Sequence, residues 1–162
     1  MLKKLIFVTA LAVLSSIFKP LISSAGDYNR YCNGRFGFCF DYPKNVKREH
    51  PPINGAGITF INNDGLQIEG GGINNVLNYT LDDDKKMTAQ NFDRITYEAK
   101  GNNWYVLSGY QKENIVYCKT YLGKGSINSL YIKYPKSLKK KYDLLVSRVS
   151  LSFKPSNLNE SY

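Results

Sequence analysis

The chain is poor in the residues that catalysts and metal centres draw on most. Of its 162 residues one is histidine, His50, three are cysteine and one is tryptophan. His50 stands between Glu49 and Pro51 in a proline-rich stretch, and no serine sits in a nucleophile elbow. A serine–histidine or cysteine–histidine pair is therefore not expected. Zinc needs three or four convergent ligands, more than one histidine and a few cysteines supply. Ser137-Leu138-Lys139-Lys140 matches the serine-x-x-lysine string of penicillin-binding enzymes, but their serine-aspartate-asparagine and lysine-threonine-glycine elements are missing. Asp82-Asp83-Asp84 lacks the alternating oxygen ligands of a calcium loop and runs directly into Lys85-Lys86. No catalytic residue, metal ligand or cofactor is assigned, and the chain is expected not to be an enzyme. Enzymatic chemistry would need carboxylates such as Asp41, Glu69 or Glu98 to converge in one pocket.

Long apolar runs are equally scarce. The run from Leu5 to Phe18 is broken only by Thr9, Ser15 and Ser16, and Lys3 and Lys4 precede it. Ser23-Ser24-Ala25 follows with the small residues a signal peptidase reads, which places cleavage after Ala25. The run is short for a bilayer span, no second one follows, and no cysteine at the cleavage point offers a lipid anchor. Residues 1–25 are thus expected to be a signal peptide, 26–154 a single domain and 155–162 a polar tail that frays. The product is expected to be exported, periplasmic or secreted, with no transmembrane segment after cleavage. Lys3, Lys4 and Lys19 leave with the signal, so 19 basic residues oppose 13 acidic ones and the net charge falls from +9 to +6. An acidic protein or an anionic envelope surface suits that balance. Nucleic acid, rarely met outside the cytoplasm, does not.

Three cysteines entering an oxidising compartment allow one intramolecular disulfide and leave one thiol over. Alternation along Arg35 to Tyr42 puts Phe36, Phe38, Phe40 and Tyr42 on one face and Cys39 on the other, beside Arg35 and Asp41. Cys118 shares its face with Val116 and Leu122, as a core residue would. The expected bridge is Cys32–Cys39, closing a short loop and contributing roughly 2–3 kcal/mol by chain entropy. Cys118 is then a buried free thiol.

The punctuation of the chain gives the element order. A strand around Phe36 to Tyr42 ends at Pro43, and Lys44 to Gly57, with Pro51-Pro52 and Asn54-Gly55, reads as a loop. Ile58 to Ile61 and Leu66 to Glu69 read as a hairpin, after which Gly70-Gly71-Gly72 reads as an irregular link. Thr80 is placed to cap a helix whose first turn carries Asp82, Asp83 and Asp84, running to about Asn91. Strands follow over 95–100, 104–111, 115–122 and 127–134. Pro135 then stops the sheet and opens the last helix. On that helix Leu138, Tyr142, Leu145, Val146 and Val149 form an apolar stripe at helical spacing. The fold class is α+β: an antiparallel sheet of about six strands, a short middle helix and a C-terminal amphipathic helix.

Aromatic residues are what the chain has in excess, with thirteen tyrosines and eight phenylalanines. Tyr105, Tyr110, Tyr117, Tyr121 and Tyr131 fall on both faces of their strands and cannot all enter one core. Tyrosine also serves recognition, offering area and a hydroxyl at low entropic cost, although it suits half-buried strands for packing alone. Lys140, Leu144 and Arg148 share the face of the last helix that points away from its stripe. Lys136, Lys139 and Lys141 lie close by. Lys140, Leu144, Arg148, Tyr105, Tyr117 and Tyr121 are therefore the candidate partner-binding residues.

The opening Cys32-Asn33-Gly34-Arg35-Phe36-Gly37-Phe38-Cys39-Phe40-Asp41-Tyr42-Pro43 resembles that of small exported proteins with a PsbP/Mog1-like fold. Their phenylalanine-glycine-phenylalanine strand also leads into tyrosine-proline. Tyr134-Pro135, Tyr142-Asp143 and Val149-Ser150-Leu151-Ser152-Phe153 resemble the close of that domain. The resemblance implies an open α+β sandwich serving as an accessory or docking module, and some small periplasmic immunity proteins have comparable domains. The metal-binding histidine cluster of plant-type members has no counterpart here. The leading expectation is a non-enzymatic exported protein that docks on a protein partner, as an immunity or inhibitor protein does by steric occlusion. The alternative is an envelope module binding anionic glycan or lipid head groups. Mass mapping of the unreduced protein is expected to return the Cys32–Cys39 bridge; a bridge from Cys118 to either would refute the parity argument.

Overall fold

The computed structural model describes residues 27–162. The signal peptide assigned to residues 1–25 lies outside the described residues. Nine strands and two α-helices follow in order: β1 (Tyr28–Cys32), β2 (Cys39–Pro43), β3 (Lys47–Arg48), β4 (Gly57–Ile61), β5 (Gln67–Asn74), α1 (Leu81–Ala89), β6 (Arg94–Lys100), β7 (Trp104–Gln111), β8 (Asn114–Leu122), β9 (Ser126–Pro135) and α2 (Lys139–Ser152). β1 and β2 form a separate hairpin, and the other seven make one sheet in the order β3-β4-β5-β9-β8-β7-β6. All strand pairs are antiparallel. The α+β class expected from the sequence stands, with two strands more than its pattern revealed: β1, and the two-residue β3 inside the proline-rich loop.

The hairpin and α2 cover one face of the sheet. Cys32 and Cys39 are register partners in the hairpin, and their side chains form the chain's disulfide. Three phenylalanines enter the core from this segment: Phe36 and Phe38 ahead of β2 and Phe40 within it, none more than 2% exposed. They share one core with Ile58 and Phe60 of β4, Ile68 of β5, Leu130 and Ile132 of β9, Tyr142 and Val149 of α2, and Phe153 just past it. Each fully buried phenylalanine contributes about 1.5–3 kcal/mol relative to exposure. The stripe expected on α2 is the one that packs, with Tyr142 and Val149 buried and Leu138, Leu145 and Val146 at its margins.

Gly70-Gly71-Gly72 is not a link. The three residues lie inside β5: all pair with β9, Gly70 and Gly71 also pair with β4, and Gly72 donates to the Ala56 carbonyl just ahead of β4. Gly70 and Gly72 face the hairpin, where the phenylalanine rings occupy the space a side chain would fill. A Cβ at Gly70 would fall 2.8 Å from the Phe38 ring and nearer still to Phe40, and one at Gly72 would meet Phe36 at 2.6 Å and less. Gly71 faces the other way, into open space.

The tail is also corrected. It does not fray: the backbone oxygen of Leu158 accepts from Gly125 (2.9 Å) and Ser126 (3.1 Å), and Leu158 itself is buried. Tyr162 exchanges two hydrogen bonds with the Asn74 side chain and lays its ring 5.5 Å from that of Phe36. Gly123 and Gly125 leave room for this strap, since a Cβ at either would collide with residues 158–160. At the other end of the sheet, Pro135 closes β9, and a single 3₁₀ turn over Lys136–Leu138 comes before α2. The helix therefore starts four residues later than the proline signalled.

Gly70→Ala is expected to destabilise the fold by about 1–3 kcal/mol through overpacking. Gly71→Ala, with nothing within reach of its Cβ, should cost under about 1 kcal/mol, the strand-propensity range. Urea unfolding of the two variants checks the difference, and equal losses would refute this account of β5.

Candidate functional site

The sheet is wider than its cover. On the hairpin side α2 packs mainly over β2, β9 and β8 and leaves much of the outer strands β7 and β6 open. The uncovered strip carries an aromatic trough, and the register of three strands builds it. Tyr97 lies opposite Ser108, which lies opposite Tyr117. Ala99 lies opposite Val106, which lies opposite Lys119, and Trp104 lies opposite Tyr121. Small residues thus form the floor and aromatic rings stand around it. The far wall is α2, through Val146, Ser147 and Leu151. The trough encloses about 510 Å³ and runs on past Tyr97 and Tyr117 into a depression of about 310 Å³ that ends at Lys139 and Asp143.

Each wall residue is held by a local cause. Trp104 folds back over the turn before it, where Gly101 donates its N–H to the Trp104 carbonyl at 2.8 Å. A Cβ at Gly101 would lie 2.7 Å or less from the indole, so the glycine fixes the ring's place. The Tyr117 hydroxyl is hydrogen-bonded to the Ser150 hydroxyl, and burial pushes its pKa up. Tyr121 lies 5.7 Å from Phe153, with the Lys119 ammonium 5.2 Å from its own ring centre. Lys119 also donates to the Ser150 carbonyl at 3.2 Å. Tyr97, on the edge strand, is 57% exposed, and Leu151 on the facing helix is 75% exposed. The trough thus has a floor of small residues, half-buried aromatic walls and an exposed apolar rim.

Of the six candidate residues named from the sequence, the structure brings Tyr117 and Tyr121 into this trough. Lys140 and Leu144 are exposed on α2, outside it. Arg148 is half-buried, its guanidinium 4.0 Å above the Tyr28 ring. Tyr105 is a correction. It is fully buried on the opposite face, because strand alternation sends it away from Val106 and under α1. There its hydroxyl donates to the Asp84 carboxylate at 2.6 Å and lies 2.7 Å from the Thr88 hydroxyl. Tyr97, Trp104 and Leu151 were missed. An edge strand and the far side of a helix give no sign in sequence that they will share one groove.

The α1 side is held by polar contacts. Thr80 and Asp83 form the capping box, Lys85 pairs with Glu98, and Lys100 reaches Asp82 at 3.3 Å. Asp84 is nine-tenths buried beneath the helix, and the loss of hydration raises its pKa against the opposing hydrogen bond from Tyr105. Cys118, on the same face of the sheet, is the free cysteine of the described residues, and burial pushes its thiol up to about 12. It is not a nucleophile at neutral pH. Asp41, Glu69 and Glu98 do not converge: Asp41 pairs with Arg30 in the hairpin, Glu98 with Lys85 at the sheet edge, and Glu69 accepts from Gln67 on β5. Among the described residues no group of three or more histidine, cysteine or acidic side chains is placed to hold a metal ion.

Comparison with known proteins places the fold. No family profile matches the chain, and no curated protein matches it significantly. The solution structure of cyanobacterial PsbP (CyanoP) from Synechocystis sp. PCC 6803 is similar, with a TM-score of 0.59 at 16% identity over 85% of this chain and 100% of that one. A crystal structure from Bacteroides thetaiotaomicron matches with a TM-score of 0.45 at 17% identity, over 77% of this chain and 47% of that one. The fold is PsbP-like, as the two ends of the chain suggested.

Asp84 binds its proton more tightly folded than unfolded. Its contribution to stability is therefore complete below the ordinary carboxylate value of 3.8 and is lost as pH rises through the higher folded value. Asp84→Asn keeps an acceptor for Tyr105 and removes the titration. Urea unfolding between about pH 4 and pH 7 should show the variant gaining on the parent as pH rises. A difference that does not change with pH would contradict the assignment.

Proposed function

We propose that this chain is an exported, non-enzymatic docking protein whose aromatic trough receives an apolar segment of a protein partner. The observation that carries the reading is the uncovered strip of sheet between α2 and β6, where Tyr97, Trp104, Tyr117 and Tyr121 surround a floor of small residues. Aromatic anchors that become buried on association concentrate binding energy in protein interfaces, and a rim around them excludes water. Lys119 within the trough favours a partner that brings a carboxylate. The disulfide fits an oxidising compartment, and no helix among the described residues is long and apolar enough to cross a membrane.

The concrete form of the proposal is an immunity- or inhibitor-type protein. A rigid module that presents a trough and no reactive group acts on its partner by occupying space. Steric occlusion needs shape and a steered encounter, and the trough and the basic balance support both.

The test is capture from the source's envelope and secreted fractions by the chain from Gly26, washed at moderate salt and followed by titration with the protein recovered. The expected result is one stoichiometric protein whose binding falls at least about tenfold for Tyr97→Ala combined with Leu151→Ala, the loss of about 1.4 kcal/mol that one good anchor supplies. Both residues are exposed, so the melting temperature should stay put. Undiminished binding by the double variant would refute the trough as the docking site.

A further inference from the structure

The geometry points to a second copy of this chain as the occupant of the outer edge of β6. The two copies pair their β6 strands antiparallel about a twofold axis at Ala99. The sheet ends in two unlike edges. β3 has two residues, whereas β6 has seven, contains no proline and pairs with β7 alone. An edge of that length is a template for another strand. Gly101 donates its N–H to the Trp104 carbonyl, so hydrogen bonds to β7 recur at Ala99 opposite Val106 and at Tyr97 opposite Ser108. The backbone groups of Glu98 and Lys100, which alternate with these, point away from the sheet. Before Tyr97 the register with β7 shifts, which bends the strand and confines further pairing to the stretch from Tyr97 to Gly101.

Overlap and charge select the same register. Full overlap of that stretch with its own reverse centres on Ala99 and sets Glu98 opposite Lys100 of the second copy, and Lys100 opposite its Glu98. Moving the centre by one residue to Glu98, or the other way to Lys100, would set two carboxylates or two ammonium groups face to face. Within each copy Glu98 is held by Lys85 of α1, and Lys100 by Asp82 at 3.3 Å. Pairing therefore lines up Lys85, Glu98, and then Lys100 and Asp82 of the second copy, alternating in sign. The twofold axis repeats that row, as it must in an isologous contact. On the other face Tyr97 falls opposite Gly101 of the second copy, where the Trp104 indole lies against the glycine. The two troughs then meet across the axis on one face of a continuous sheet. Strand addition of this kind takes affinity from the main chain and specificity from the side chains. Edge pairing over so short a stretch falls at the small end of interfaces, so the dimer is reversible and depends on concentration.

The experiment is analytical ultracentrifugation of the chain from Gly26 between about 1 and 500 μM, the range in which weak interfaces assemble. Every core residue lies at or after Tyr28, so the shortened chain retains the whole core. A reversible shift from monomer to dimer is expected. Glu98→Lys and Lys100→Glu should each weaken self-association by about tenfold or more, because each sets like charges opposite one another across the axis. Mixed in equal amounts, the two variants should regain the parent's affinity, since every facing pair is then again of opposite sign. Melting temperatures near the parent's show that both are folded. Leu151→Ala, which alters the trough and not the edge, should leave the dimer unchanged, so that failure of this contact and failure of the docking site read out separately. A parent that stays monomeric throughout, single variants that dimerise as the parent does, or a mixture that stays monomeric would overturn the proposal.

Discussion

Three phenylalanine rings from the entrance of the fold lie against a strand that offers no side chain where they touch it. Phe36, Phe38 and Phe40 occupy the volume over Gly70 and Gly72 of β5, and this contact decides how near the disulfide-closed hairpin sits to the sheet. A side chain at either glycine would lift the hairpin by the thickness of a methyl group. The rings would then lose packing with Phe60, Ile68 and Phe153, in an interior where gaps of that size forfeit much of the dispersion energy. The cost of glycine in a strand is offset by cross-pairing on both edges, since β5 lies between β4 and β9.

The same contact sets where the sheet is left bare. With the hairpin seated over β4 and β5, α2 packs mainly over β9 and β8. The two outer strands then present their hairpin-side face to solvent, and Tyr97, Trp104 and Tyr121 come to stand around a strip of small residues. On the opposite face α1 covers part of β7 through Asp84 and Thr88 and through ion pairs at the edge strand. The hairpin face is closed by aromatic packing, and the α1 face adds hydrogen bonds and ion pairs to its buried Leu107 and Val116. Asp84 gives that second face a pH-sensitive fastening away from the trough.

Much of this could be read from residue order. The alternation that separated Cys39 from its aromatic neighbours, with Cys118 on a core face, pointed to the Cys32–Cys39 pairing; that the two are cross-strand partners in a hairpin was not legible, because β1 carried no strand pattern. Thr80 as a cap and the stripe on α2 were legible because each rests on contacts within a few residues. Gly70-Gly71-Gly72 was misread because three glycines look like a break unless something large is known to lie across them. The tail was misread because its partners, Asn74, Gly125 and Ser126, lie far back in the chain. Tyr105 looked like Tyr117 and Tyr121 in sequence, and only alternation against a known face separates them.

The sequence by itself determined the α+β class, the order of the longer elements, the disulfide and the helix cap, since each follows from periodicity or spacing over short range. Tertiary structure decided which tyrosines are buried, that a glycine run is a central strand, and that an edge strand and a helix flank form one trough. Those outcomes depend on which side of the sheet the hairpin and α2 cover. That choice is made by packing volume between residues distant in the chain, which no local pattern records.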